Sequence, residues 1–181
     1  MEYIRDFGGV IKLLGRAKRL SDDKISAMVS PAVVMNGSQL ASVNDVFNAI
    51  LVRGDAIGDV VFYGKGAGKL PTASAVVADV IDCAKHVDRK KAFGWGESVE
   101  NYVVDHELLE TALYIRAEVA NKAEALSAIA EKLGNVKVLS RGNAPENELA
   151  FVTGTGTEKS LCDSLRAAGI VPQSLIRVTD Y

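Results

Sequence analysis

Apolar residues along this chain fall into short blocks whose spacing changes from strand-like to helix-like and back. After a short helix-compatible start, Val10 to Lys18 reads as a strand, bounded by Gly8-Gly9. Lys24 to Met35, "KISAMVSPAVVM", reads as a second. Pro31 removes a ladder donor, which predicts that this strand lies at an edge or is broken or bulged there. Asn36-Gly37 marks a turn, and Leu40 to Asp45 has room for a short helical turn. Two β-rich runs follow, "VFNAILVRG" and "GDVVFYG", joined around Gly54 to Gly58 as a hairpin. The second run leads straight into Gly64, Gly66 and Gly68. Pro71 then sits where a first helical turn tolerates it. Ala75, Val76, Val80, Ala84 and Val87 predict a helix over Thr72 to Val87.

The rhythm breaks between Asp88 and Asn101, where "FGWGES" has little periodicity, and Trp95 reads as a plug between two domains. Beyond it, strands are predicted at Leu109–Val119, Val136–Arg141, Leu149–Thr153 and Ser174–Thr179. Helices are predicted at Lys122–Leu133, stopped by Gly134, and at Glu158–Ala168, ending at Gly169. That order is βαββαβ, the ferredoxin-like arrangement. The expected fold class is α+β. A partial mixed sheet with a terminal helix spans 1–88, a linker 89–108, and the ferredoxin-like unit 109–181. Its helices are expected on one face of the sheet only, so the bare face must meet solvent, another domain or another subunit.

Composition narrows the chemistry. Hydrophobic residues make up 48% and charged residues 24% of the 181 positions, an ordinary globular balance. A net charge of −2 implies no broad attraction to nucleic acid or an acidic membrane. Arg89-Lys90-Lys91 reads as a solvated junction. Cys83 and Cys162 read as free, buried thiols, and no CxxC pair or Cys/His cluster suggests a metal. His86 and His106 lack metal-ligand spacing and are read as non-catalytic. No signal-peptide pattern and no membrane-length apolar run is visible, which makes the cytoplasm the default location. Met1 opens directly into the short helical piece, so the chain reads as a part of something longer.

The three glycines invite a phosphate reading, and two phosphate motifs fail. A P-loop needs GxxxxGK[ST], but Gly64 and Gly68 are one residue too close and Lys69 is followed by Leu70. A dinucleotide fingerprint needs GxGxxG inside a βαβ unit, and the third glycine is out of register here. Two readings remain open. The glycines permit a sharp strand-to-helix turn at positive φ. Alternatively, they let backbone approach a ligand at a helix N-terminus, where free N–H groups gather.

The run "LASVNDVFNAILVRGDAIGDVVFYGKGAGKLPTASAVVADVID" resembles the end of the catalytic portion of homoserine dehydrogenases, and "GGVIKLLGRAK" resembles the strand upstream of it. The resemblance covers about residues 2–88. It implies a parent enzyme that interconverts L-homoserine and L-aspartate 4-semialdehyde with NAD(P), on the route to threonine, methionine and isoleucine. It also implies that Gly66, Ala67 and Gly68 contact the nicotinamide end of the cofactor. Many family members end in an ACT domain, an amino-acid sensor of βαββαβ order, and residues 109–181 fit that order. The equivalent effector loop would be carried by Val119, Asn121 and Ala123, with threonine as the effector, although the family's Pro-Gly is absent there.

The departures imply as much. The chain has no GxGxxG and lacks the segment carrying the family's catalytic lysine and substrate-holding acids; Lys12 and Lys18 lie in the wrong motif to replace that lysine. The expectation is therefore no catalytic residue in this chain, no cofactor bound to it alone, and no turnover by it alone. A homo-oligomer is expected in which the helix after the glycines is reburied. The alternative expectation is a non-catalytic ACT-type sensing or dimerisation module.

Overall fold

The structure, a computed structural model, describes residues 1–89 and 94–179. Lys90, Lys91 and Phe93, which belong to the expected junction, lie outside the described residues. The chain divides into two compact units, 1–41 with 100–181, and 42–99.

The larger unit contains α1 (Glu2–Phe7), β1 (Gly9–Arg19), β2 (Ile25–Met35), β5 (Glu110–Glu118), α3 (Lys122–Leu133), β6 (Lys137–Leu139), β7 (Glu148–Val152), β8 (Gly156–Thr157), α4 (Glu158–Ala167) and β9 (Pro172–Val178). Its main sheet runs β1-β2-β9-β5-β7-β6, with β8 paired to the start of β5. The β5-α3-β6-β7-α4-β9 stretch has the predicted order, and its strands lie side by side as β9-β5-β7-β6, all antiparallel. The β2–β9 pairing at Ala32↔Arg177 and Val33↔Val178 is parallel, which makes the sheet mixed.

Strand alternation builds two cores. Leu113, Ile115 and Ala117 of β5 point to one face with Leu149 and Phe151, where Ile129 of α3 and Leu161 and Leu165 of α4 pack on them. Tyr114, Ala150 and Val152 point to the other face, where Tyr3 and Ile4 of α1 meet Val33 of β2. The expected bare face is therefore covered in part. Six residues are too short for a helical period to show in a sequence, so α1 gave no sign of its partner.

Pro31 does not break or bulge its strand. The β1–β2 register runs unbroken from Gly9↔Met35 to Arg19↔Ile25, with Pro31 opposite Leu13. The ladder to β9 engages only Ala32 and Val33, so it asks no donor of Pro31.

The smaller unit holds β3 (Phe47–Gly54), β4 (Gly58–Lys65) and α2 (Lys69–Lys85). The hairpin pairs Phe47↔Lys65 through Gly54↔Gly58, as predicted. Phe47 stacks on Tyr63 with ring centroids 4.9 Å apart, and Arg53 donates two hydrogen bonds to Asp59 at 2.6 and 2.8 Å. No described residue of this unit is buried. Cys83, expected to be buried, is exposed, because α2 has no covered face on which to hide it. Trp95, expected as a plug, is exposed as well. Cys162 is half-buried and packs against the α3/α4 core.

Candidate functional site

The glycine turn is built by the hairpin register. Pairing of Asn48 with Gly64 brings the Asn48 carboxamide beside the chain as it leaves β4. The Gly66 N–H donates to the Val46 carbonyl at 3.3 Å, which continues the ladder one step beyond the strand. A Cβ on Gly66 would run into the Asn48 side chain, with Cγ at 2.7 Å and Nδ2 closer still. Gly68 has φ 133° and ψ 153°, a conformation open essentially to glycine alone. Its carbonyl accepts from Thr72 N–H at 3.1 Å, which opens α2. Gly66 and Gly68 thus have separate reasons to be glycine, close approach at one and backbone conformation at the other. Ala67 is exposed between them.

The head of α2 is electrostatically open. No side chain caps it, and its first turn contains no acidic residue. The orphan N–H groups and the positive end of the helix dipole are left for solvent or a ligand. At the other end, His86 Nδ1 lies 2.9 Å from Asp82 Oδ1 and 3.1 Å from the Asp82 carbonyl, a local closure of the helix C-terminus.

On the larger unit the loop at Val119, Asn121 and Ala123 is a helix cap. The Asn121 carboxamide oxygen accepts from Ala123 N–H at 2.9 Å and Glu124 N–H at 3.4 Å, while its Nδ2 donates to Glu124 Oε1 at 2.9 Å. The two accepted bonds satisfy two of the free N–H groups in the first turn of α3, and the side-chain bond ties Asn121 to Glu124. Val119 packs against the core beneath α3, and Ala123 is exposed.

A charged cluster went unforeseen in the sequence. Glu148, 8% exposed at the start of β7, accepts from Tyr3 Oη at 2.8 Å, Arg116 Nη1 at 2.8 Å and Arg141 Nη2 at 2.7 Å. Arg141 donates also to Glu2 at 3.1 Å. The hydrogen bonds from Arg141, and then those from Arg116 and Tyr3, hold the Glu148 carboxyl at about 2 against the opposing effect of burial. The three partners of Glu148 come from α1, β5 and the β6–β7 connection, so only the fold assembles them. No group of His, Cys, Asp or Glu residues that could hold a metal ion occurs among the described residues.

Comparison with known proteins gives this geometry a family. The family model described as homoserine dehydrogenase matches residues 1–81, which takes in both hairpins, the glycine turn and most of α2. Homoserine dehydrogenase of Helicobacter pylori is 35% identical over 176 residues, covering 92% of this chain and 41% of that protein. The chain belongs to the homoserine dehydrogenase family. Homoserine dehydrogenase of Synechocystis is 48% identical over 83 residues, 44% of this chain and 19% of its own. Among solved structures, a homoserine dehydrogenase from Thiobacillus denitrificans superposes with a TM-score of 0.76 at 26% identity, covering 98% of this chain and 44% of that one. That of Staphylococcus aureus at pH 7.5 gives 0.73 at 27% identity. The match spans 41% of the Helicobacter pylori protein and 19% of the Synechocystis one, less than half the length of each.

No helix of the described residues is long and apolar enough to cross a membrane.

Proposed function

We propose that this chain supplies the strand-to-helix return and the βαββαβ unit of an NAD(P)-dependent homoserine dehydrogenase, working in the cytoplasm. The intact enzyme interconverts L-homoserine and L-aspartate 4-semialdehyde on the way to threonine, methionine and isoleucine. The carrying observation is the turn at Gly66–Gly68, where the Asn48 side chain crowds the Cβ position of Gly66 and the backbone leads into an uncapped helix head. Such a surface fits a flat ring or an electron-rich amide laid against backbone. When bound, NAD(P) takes or returns the hydride. The part played by Gly66, Ala67 and Gly68 is to hold the nicotinamide end in place by contact, without a side chain in the way.

Hydride transfer requires cofactor and substrate held together in near-attack geometry. The chain contains no GxGxxG to bind a dinucleotide, and the titratable residues flanking the glycine turn, Lys65 and Lys69, include no carboxylate. Taken alone it is therefore inactive. The test substitutes residues 1–89 for the equivalent segment of the Helicobacter pylori enzyme. In that chimera Gly66→Val lowers turnover about 100-fold and raises the KM for NAD(P), the scale expected from displacing the cofactor by about 1 Å. A folded Gly66→Val chimera with unchanged kinetics overturns the reading.

A second reading, a sensing or dimerisation module of ACT type, is favoured by the β9-β5-β7-β6 strand order around α3 and α4. Threonine is the first effector to try, and the Val119, Asn121 and Ala123 loop the first place to look. Calorimetry with the folded chain at millimolar threonine decides between sensing, which releases or takes up heat, and a purely structural role, which gives none.

A further inference from the structure

The β3–β4 register sorts the hairpin into two unlike faces. One face is tied across the strands. There Phe47 stacks on Tyr63, Arg53 forks onto Asp59, and Lys65 Nζ lies 5.9 Å from the centroid of the Phe47 ring. The other face carries Ile50, Val52, Val60 and Phe62, with Asn48 paired to Gly64 at the end that leads to α2. Asn48 is the one polar side chain among the paired residues of that face.

Asn and Gly are both poor strand residues, yet they face each other here. The position of a Cβ on Gly64 has nothing within 4 Å, and that of a Cβ on Gly66 meets only the Asn48 side chain. The carboxamide therefore stands beside bare backbone, with two neighbouring positions clear of side chains. It is exposed and makes no side-chain hydrogen bond among the described residues. Strand propensity broken without a packing gain is expected at a functional site. The two lysines of the turn have other placements. Lys65 lies on the opposite face with Phe47, and Lys69 opens α2.

We propose that Asn48 is a cofactor-binding residue whose carboxamide pairs with the carboxamide of the nicotinamide. The proposal rests on the dehydrogenase reading above and adds the side chain that orients the ring. The glycine backbone offers a flat surface, which by itself does not choose one edge of a ring over the other. Two primary amides are complementary, each donating an N–H and accepting at its carbonyl. Asn48 Nδ2 donates to the carboxamide oxygen, and Asn48 Oδ1 accepts from the carboxamide nitrogen. A ring turned over about its glycosidic bond would carry the carboxamide to the far edge, so Asn48 also selects the ring face offered for hydride. A neutral amide suits this task better than a lysine, whose charge would oppose the cationic oxidised ring.

The test uses the chimera described above and measures binding rather than turnover. NADH and NADPH are titrated by cofactor fluorescence, and the reduced acetylpyridine analogue, in which a methyl replaces the amide NH2, by competition. Asn48→Ala weakens binding of the amide cofactor about tenfold, one step of RT ln 10. The chimera with Asn48 intact binds the acetyl analogue about tenfold more weakly than the amide cofactor. In Asn48→Ala that difference disappears, because no acceptor is left for the amide N–H. Asn48 is exposed, so its loss leaves the fold in place, and matching melting curves check this. If Asn48→Ala binds the amide cofactor as tightly as before, or keeps the full difference between the two, Asn48 does not hold the carboxamide and the proposal falls. Gly66→Val in the same titration separates the two readings. Loss of cofactor there, with no effect at Asn48, overturns the role of Asn48 and leaves the glycine turn as cofactor surface. No loss in either variant overturns both.

Discussion

Tyr3 donates a 2.8 Å hydrogen bond to Glu148 across a sequence separation of 145 residues. The bond joins the first helix of the segment matched by the family model to the sheet of the βαββαβ stretch. With Val33 packed against Tyr114, Ala150 and Val152, it makes α1, β1 and β2 part of the larger unit's architecture. Tyr3→Phe removes a donor to a buried charge and should cost about 1–2 kcal/mol. Urea denaturation of the variant measures it, and an unchanged midpoint would mean that α1 contributes nothing to the sheet.

The same cluster sets an acid limit. The Glu148 carboxyl is held at about 2, below its ordinary 4.5, chiefly by Arg141. A depressed acid contributes stability that is present above the unfolded value and lost as pH falls through the folded one. The melting temperature should therefore fall between about pH 4.5 and about pH 2. Glu148→Gln should be less stable at neutral pH and should flatten that acid slope. A wild-type slope that survives in Glu148→Gln would assign the acid sensitivity to other groups.

Gly66 and Asn48 form the other informative pair. Gly66→Ala forces the exposed Asn48 carboxamide to swing away, because the new Cβ and Asn48 Cγ cannot share the space. The expected cost is small, about 0.5 kcal/mol, because the atoms in the way are the end of an exposed side chain. Asn48→Ala should recover part of it, and a double-mutant cycle gives a favourable coupling. Amide exchange across β3–β4 reads this directly. Additive effects of the two changes would show that the close approach is not what excludes a side chain there.

The helix after the glycines should be covered in solution. Leu70, Val76, Val77, Val80 and Ile81 of α2 are all exposed. At about 100° per residue they fall within an arc of about 140°, a core-facing stripe. Apolar surface of that kind marks an interaction site. Light scattering at micromolar concentration should find an oligomer, and Val76→Lys with Val80→Lys should dissociate it. A monomeric wild-type chain would contradict the oligomer.

Much of this was legible in the sequence because its elements carry their own periods. The β3–β4 hairpin, α3, α4 and the βαββαβ order follow from alternation and helical spacing, with Gly134 and Gly169 as punctuation, whereas Asn121 reads in the sequence as an effector-loop residue and not as the cap of α3. The glycine turn was legible as a turn, but the reason for Gly66 was not, since it lies in the Asn48 side chain across the hairpin. The Glu148 cluster and the cover supplied by α1 were invisible for the same reason. Tyr3, Arg116, Arg141 and Glu148 share no sequence neighbourhood, and only sheet pairing brings them together. Pro31 misled because a proline's missing donor matters only where a neighbouring strand asks for it.

The central claim is that this chain carries part of a homoserine dehydrogenase site and that the rest must come from elsewhere. The direct measurement is homoserine-dependent reduction of NAD(P), made with the purified chain alone and with the chimera carrying residues 1–89 in the Helicobacter pylori enzyme. The account predicts no turnover by the chain alone and turnover by the chimera. Turnover by the chain alone, or a folded chimera that binds cofactor yet does not oxidise homoserine, would contradict it.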